Sequence, residues 1–219
     1  MTKKFAVLGG INDRSKIYLK SFKEQKLKPE IVILYGEKID KKSIISMNKL
    51  FDGIKYINLK HASNLKIKKL FRNIDLDFII FSGYPGEILK TKLFKDLKIN
   101  ILHTHTGKLP YFKGSTTIYY TLLAMNKIYC STFIMTDVID SGDILHVKEY
   151  PLPKNPRDIE NQYDNEIRAK NFIDIIKKKK LSKSREITKN ISKIEDYYFI
   201  AHPILRKITI EKIKKNKYL

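Results

Sequence analysis

NILHTHTGKLPYFKGSTTIYYTLLAMNKIYCSTFIMTDVIDSGDIL, residues 100–145, is the stretch whose reading decides the fold. A short apolar run ends in His103 and His105. A loop punctuated by Gly107, Pro110 and Gly114 follows, then the helical segment GSTTIYYTLL. A β-branched run then delivers Asp140 inside IDSGD. Side chains on a strand alternate with period two, so His-Thr-His places both imidazoles on one face. Two imidazoles and a carboxylate, each after an apolar run, predict a site built on strand ends.

Outward from this stretch the pattern is regular. The runs at 4–9 (KFAVLG), 30–35 (EIVILY) and 77–84 (DFIIFSGY) are apolar throughout, which is the mark of strands buried on both faces. Helical segments alternate with them: SKIYLKSFKEQK, capped by Asn12, Asp13 or Ser15; residues 40–52; HASNLKIKKLFRNI, capped by Ser63 or Asn64; and EILKTKLFKDL. YINL after Lys55 reads as a short strand. The alternation predicts an α/β fold, a mostly parallel sheet with helices on both faces. Working residues in such sheets lie beyond the carboxyl ends of the strands, which aligns Gly9-Gly10, Tyr84-Pro85-Gly86 and His103–His105 along one edge. Gly9, Gly10 and Asn12 form a strand-to-helix turn that can approach a phosphate, although the full GxGxxG pattern is absent.

The division expected is a catalytic domain over 1–153 and a helical extension over 154–219. Asn155-Pro156 marks a helix start, with Ile159, Tyr163, Ile167 and Phe172 as its apolar stripe and Lys177–Lys180 at its end. Glu166 and Arg168 are expected on a solvated face. Ser182–Arg185 reads as a break, and YYFIAHP as a segment that packs on the sheet or forms a homodimer contact, with Pro203 making His202 a break point. IEKIKKNKYL reads as a frayed basic end.

Composition bounds function. The formal charge is +21, but only six of the 44 basic residues are arginine and the lysines are dispersed. That reads as solvated surface, attractive to anionic small molecules, without a specific nucleic-acid site. No apolar stretch is long enough to span a membrane, and no signal peptide is read. Cys130 is the only cysteine, which excludes an internal disulfide and suits a cytoplasmic protein.

Three chemistries fit the two histidines. They are satisfied structural residues; or they bind a metal with Asp140, His146 being the spare candidate; or they handle charge in an acyl transfer. The stretch resembles the folate-dependent formyltransferase family, which comprises glycinamide ribonucleotide transformylase, methionyl-tRNA formyltransferase and the amino-sugar N-formyltransferases. His105 leads to Leu109-Pro110 and Gly114 with the family's spacing, and Asp140 lies in the segment IDSGDIL. The resemblance implies a Rossmann-like formyltransferase fold with a short helical tail. It implies N10-formyltetrahydrofolate as co-substrate and a small-molecule amine as acceptor. His105 would polarise the formyl oxygen, and Asp140 would hold the histidine and move the amine proton. Tyr84, Ile88, Leu89, Thr136, Val138 and Ile139 match the pterin pocket. Gly9, Gly10, Asn12, Lys113, Gly114 and Ser115 are the expected acceptor contacts, and no metal is expected. The departure is His103, where the family carries an asparagine that donates to the formyl oxygen; an imidazole is expected to make that donation instead.

The residues after Pro153 are too few for the domain that holds tRNA. The first loop, GGINDRS, lacks the full phosphate loop of the purine enzymes. The expected acceptor is a nucleotide-linked amino sugar of surface glycan synthesis. The alternatives are glycinamide ribonucleotide, a metal-dependent hydrolase using His103, His105 and Asp140, and a catalytically degenerate binding protein.

Overall fold

A computed structural model describes residues 3–178 and 197–216. The break expected at Ser182–Arg185 lies outside the described residues. The main sheet has seven strands: β1 (Phe5–Gly10), β2 (Ile31–Gly36), β3 (Lys55–Asn58), β4 (Phe78–Ser82), β5 (Asn100–His105), β7 (Ile128–Ile134) and β8 (Ile144–Tyr150), in the order β3-β2-β1-β4-β5-β7-β8. The five strands from β3 to β5 are parallel. The pairs β5–β7 and β7–β8 are antiparallel, so the sheet is mostly parallel with an antiparallel edge. Lys148 and Glu149 of β8 stand exposed on that edge, as edge strands favour.

Every residue of β1 and β4 is buried, because helices cover both faces. Phe5 and Val7 pack with Tyr18, Leu19 and Phe22 of α1 (Asp13–Glu24) and with Ala169, Phe172 and Ile175 of α5 (Asp164–Lys177). Ala6 and Leu8 turn to the other face and meet Ile67 of α3 (Leu65–Leu70), Phe71 and Phe94. The helix α2 (Lys41–Asn48) follows β2. Asn12, Asp40 and Asn64 cap α1, α2 and α3, each accepting a backbone N–H with its side chain. No described helix is long and apolar enough to cross a membrane.

Four local expectations change. The helix expected over EILKTKLFKDL is a 3-10 turn confined to Thr91–Leu97. The Glu87 carboxylate accepts from the Ala62 and Tyr84 amides and from the Tyr35 hydroxyl, which holds the chain before it away from helical geometry. At Asn155-Pro156 a 3-10 turn (Pro156–Asp158) and a π turn (Ile159–Tyr163) precede α5. Arg168 is buried rather than solvated, since its guanidinium pairs with Asp164 one turn earlier at 2.6 Å. Residues 210–216 of the expected frayed end, whose last three residues lie outside the described residues, belong to a helix, Pro203–Asn216, whose Thr209 and Ile213 are buried and which packs against α4 (Thr117–Met125). Proline suits its first position, where no N–H is needed.

Between β5 and α4 lies the two-residue strand β6 (Lys113–Gly114), paired in parallel with β9 (Tyr197–Tyr198). The YYFIAHP segment therefore pairs with the loop after β5, and its Ala201 joins the buried cluster that holds Ile128 and Cys130 of β7 and Tyr150 of β8.

Candidate active site

A cavity of about 560 Å³ opens beyond the carboxyl ends of β4 and β5. His103, His105 and Asp140 all line it. The two histidines leave the same face of β5. Asp140 arrives from the loop between β7 and β8, several residues past the end of β7, with a left-handed backbone (φ 46°). That loop is closed on itself: the Thr136 hydroxyl bonds the Val138 and Ser141 carbonyls at 3.2 and 2.9 Å. Asp137 accepts from the Thr91 amide and hydroxyl, which ties the loop to the neighbouring 3-10 turn.

Asp140 Oδ2 lies 3.3 Å from His105 Nδ1 and accepts the Gly114 N–H at 2.8 Å. His105 Nε2 donates to the Phe112 carbonyl at 2.7 Å and sits 2.8 Å from the Thr117 hydroxyl, which itself donates to Thr106 O. Both ring nitrogens thus face acceptors, an arrangement that favours a doubly protonated ring. Burial works the other way and pushes His105 below the ordinary histidine range, while Asp140 raises it. Gly107 makes this packing feasible, because a Cβ there would stand 2.8 Å from both His105 Nε2 and the Phe112 carbonyl.

His103 differs. It lies between the rings of Phe81 and Phe133, and its Nδ1 donates to Phe81 O at 3.2 Å. In the neutral ring this leaves Nε2 as an acceptor with no partner among the described residues. The site therefore presents a lone pair where the resemblance places an amide donor. Burial, then Arg168 and Arg14, push His103 down to about 3, so the ring is neutral near pH 7.

The walls of the cavity are unlike. On one side stand Phe81, Tyr84, Ile88, Leu89, Met135, Thr136, Val138 and Ile139. Leu89 is fully buried, whereas Ile88 and Val138 are exposed at the rim. All six expected pterin contacts are in this wall. On the other side stand Arg14, Gly114, Ser115, Asp164 and Arg168, with Tyr197 to Ile200 beyond them. Asp164 accepts from Thr106, and Arg168 donates to the Thr104 carbonyl and at 3.0 Å to Thr106. Burial opposes the charges of this pair, but each sustains the other: Arg168 is held above and Asp164 below its ordinary range. Arg14 donates through Nε to Asn165 at 3.0 Å and forms no ion pair among the described residues. Burial and the nearby Arg168 both press on its charge.

Four expected acceptor contacts do not line the cavity. The Tyr84 ring would lie 2.9 Å from a Cβ on Gly10, the Ser15 hydroxyl 2.6 Å from one on Gly9, so both glycines are covered. Asn12 caps α1 and reaches Gly83 O. Lys113 is buried with its ammonium 5.5 Å from the centroid of the Tyr197 ring. Sequence reasoning missed Arg14, Asp164 and Arg168. The one available signal was the i, i+4 spacing of Asp164 and Arg168, which surface pairs share. Among the described residues no three His, Cys, Asp or Glu side chains group to hold a metal. His146 lies on β8 beside Asp174 and Lys178.

Comparisons with known proteins bear on the family and the fold. Methionyl-tRNA formyltransferase from Finegoldia magna is 30% identical over 101 residues, covering 46% of this chain and 32% of that protein. The chain thus spans about a third of that relative's length. Among solved structures, glycinamide ribonucleotide transformylase 1 from Symbiobacterium toebii superposes with a TM-score of 0.59 at 14% identity, covering 80% of this chain and 86% of that one. A sugar N-formyltransferase from Shewanella sp FDAARGOS_354 gives 0.54 at 15% identity, covering 96% and 87%. At such identities the superpositions speak for the fold, which is the Rossmann-like formyltransferase fold. A family model described as Formyl transferase matches residues 3–178, and the chain belongs to that family.

Proposed function

We propose that the protein transfers a formyl group from N10-formyltetrahydrofolate to the primary amine of a nucleotide-linked amino sugar. One observation carries this reading: an apolar wall and a polar wall, which holds Arg14 beside the Asp164–Arg168 pair, meet at His103, His105 and Asp140. The apolar wall, with Leu89, Met135, Val138 and Ile139, suits a flat pterin. The folate, when bound there, supplies the formyl carbon. The polar wall suits an anionic amine at Arg14, whose guanidinium no carboxylate contacts among the described residues. The phosphates of a sugar nucleotide supply that match. The phosphate of glycinamide ribonucleotide would meet Arg14 equally well, so it is the second reading.

The roles follow from the hydrogen bonds. In this reading His105 turns its Nε2–H from Phe112 O to the oxygen that gains charge as the amine attacks, with Asp140 holding the other side of the ring. Asp140 and the His103 lone pair are the two acceptors for the proton the amine loses. The assignment of proton acceptance to His103 replaces the donor role that the asparagine plays in the family.

The test is formyl transfer by the purified protein, with formyltetrahydrofolate as donor. The acceptor panel holds dTDP- and UDP-amino sugars, glycinamide ribonucleotide and methionyl-tRNA. Turnover of a sugar nucleotide supports the proposal. Turnover of glycinamide ribonucleotide alone transfers it to the second reading, and turnover of methionyl-tRNA alone or of nothing overturns both.

A further inference from the structure

His105 and Asp140 come from different elements, yet the groups that hold them are two residues apart. Phe112 O takes the His105 Nε2–H, and the Gly114 N–H is given to Asp140. The short stretch 112–114 therefore sets where both side chains stand.

That stretch is gripped from one side by β9. Lys113 and Gly114 pair with Tyr197 and Tyr198, and the Ser115 N–H donates to Tyr198 O at 2.8 Å. The Tyr198 ring stacks on Phe112, with centroids 5.3 Å apart and planes 21° apart, and leans on Tyr120 at 4.6 Å. Gly114 has φ +105°, and a Cβ on it would fall 2.2 Å from the Tyr198 carbonyl. Only glycine tolerates both that conformation and that approach. The grip is anchored in turn. The Ala201 N–H donates to Thr116 Oγ1 at 2.7 Å, and Arg206 bonds Ala201 O and Glu160, each at 2.8 Å. A two-residue strand pair has little stability of its own, so the ring stack and these anchors must hold it.

We propose that Tyr198 is a positioning residue: through its ring on Phe112 and its backbone on Gly114 and Ser115, it sets the relation of His105 to Asp140. The residues that do this, 197–206, lie outside the span 3–178 matched by the family model. The inference rests on the reading of His105 and Asp140 as the reacting pair, and it adds a reason for the C-terminal segment to be part of the machine. Displacement of the 112–114 stretch by about 1 Å is enough to cost roughly 100-fold in rate.

The experiment compares full-length Tyr198→Ala, Tyr198→Leu and Tyr198→Phe with the unmodified protein. It reads kcat, the KM of each substrate and the NMR titration of His105. Asp140→Asn and His105→Ala serve as references. Tyr198→Ala is expected to lower kcat by roughly 100-fold, with each KM within about threefold. The His105 titration should move to lower pH as the pull of Asp140 weakens, and Tyr198→Phe should restore both. Tyr198→Leu keeps an apolar side chain without the ring, and gives the same readouts if the alanine variant does not fold. An unchanged kcat, or a higher acceptor KM with the His105 titration unmoved, overturns the proposal and makes β9 a substrate wall. If Asp140→Asn and His105→Ala leave kcat intact, the catalytic reading falls. The His105 titration in the Tyr198 variants then still judges the grip.

Discussion

The turn after β1 and the loop after β5 leave the same edge of the same sheet, the first from Gly9-Gly10 at the end of β1 and the second through Gly107, two residues past β5. The first is closed. The Tyr84 hydroxyl receives the Ile11 N–H at 3.1 Å and donates to Tyr35 O at 3.1 Å, so its ring covers Gly10. Ser15 and Ser82 bond each other across the crevice at 3.0 Å. The second is open, and the cavity forms there. A strand end at a topological switch point offers a crevice, but the side chains that fill it decide whether a ligand can enter. Arg14 is the exception that links the two, because it starts from the closed turn and reaches the open cavity.

The comparison breaks most clearly at Asp140. Asp140→Asn keeps the shape of the open loop and removes the proton acceptor, and kcat in the formyl-transfer assay should fall about 1000-fold, within the span of general acid–base catalysis. A fall below about tenfold would mean that the chemistry lies elsewhere in the cavity. Gly107→Ala is next. The added methyl group meets the His105 ring and the Phe112 carbonyl, so stability measured by urea unfolding should drop by roughly 2–3 kcal/mol, with loss of activity. Ala at Gly86, where nothing stands within 4 Å of the new Cβ, bears only the strain of a positive φ and serves as the control.

The pH dependence of stability sharpens the contrast between the two histidines. The folded state holds His103 down to about 3, against the ordinary histidine value of about 6.5. Below pH 6.5 the unfolded chain binds the proton and the folded chain does not, so stability falls as pH drops, by up to about 1.4 kcal/mol per unit. This contribution is fully present above pH 6.5. Urea midpoints at pH 7.5 and 5.0 should differ more in the unmodified protein than in His103→Asn, and equal differences would refute the neutral ring. The smallest effect expected is at the link between the two regions. Arg14→Gln should raise the KM of a phosphate-bearing acceptor about tenfold, with little change in kcat or in the KM of the folate, as loss of one charge-assisted contact implies.

The strands were legible in the sequence because burial on both faces writes itself as unbroken apolar runs, as in FAVLGG and FIIFS. The caps at Asn12 and Asn64 were legible for a similar reason: they act within three residues of themselves. The wall of Arg14, Asp164 and Arg168 was not. Arg168 looks like any charged residue on a helix, and its burial follows from the π turn at Ile159–Tyr163 and from the approach of α5 to β5. The 3-10 turn at Thr91–Leu97 was missed because the Glu87 carboxylate is claimed by groups from β2, the loop at Ala62 and its own turn. Such competition is between distant parts of the chain and leaves no local signature.

By itself the sequence determined an α/β sheet and placed two histidines and a carboxylate within residues 100–145, which rest on periodicity and spacing, properties of neighbours along the chain; the pairing of His105 with Asp140 came from the family resemblance. Tertiary structure alone decided that Gly9 and Gly10 are sealed and that His103 presents a lone pair. It also decided that Arg14 stands in the cavity with no direct ion pair among the described residues, and that Tyr198 packs on the loop holding His105 and Asp140. Each depends on atoms dozens of residues apart being brought within hydrogen-bond or van der Waals reach, and that proximity exists only once the core has closed.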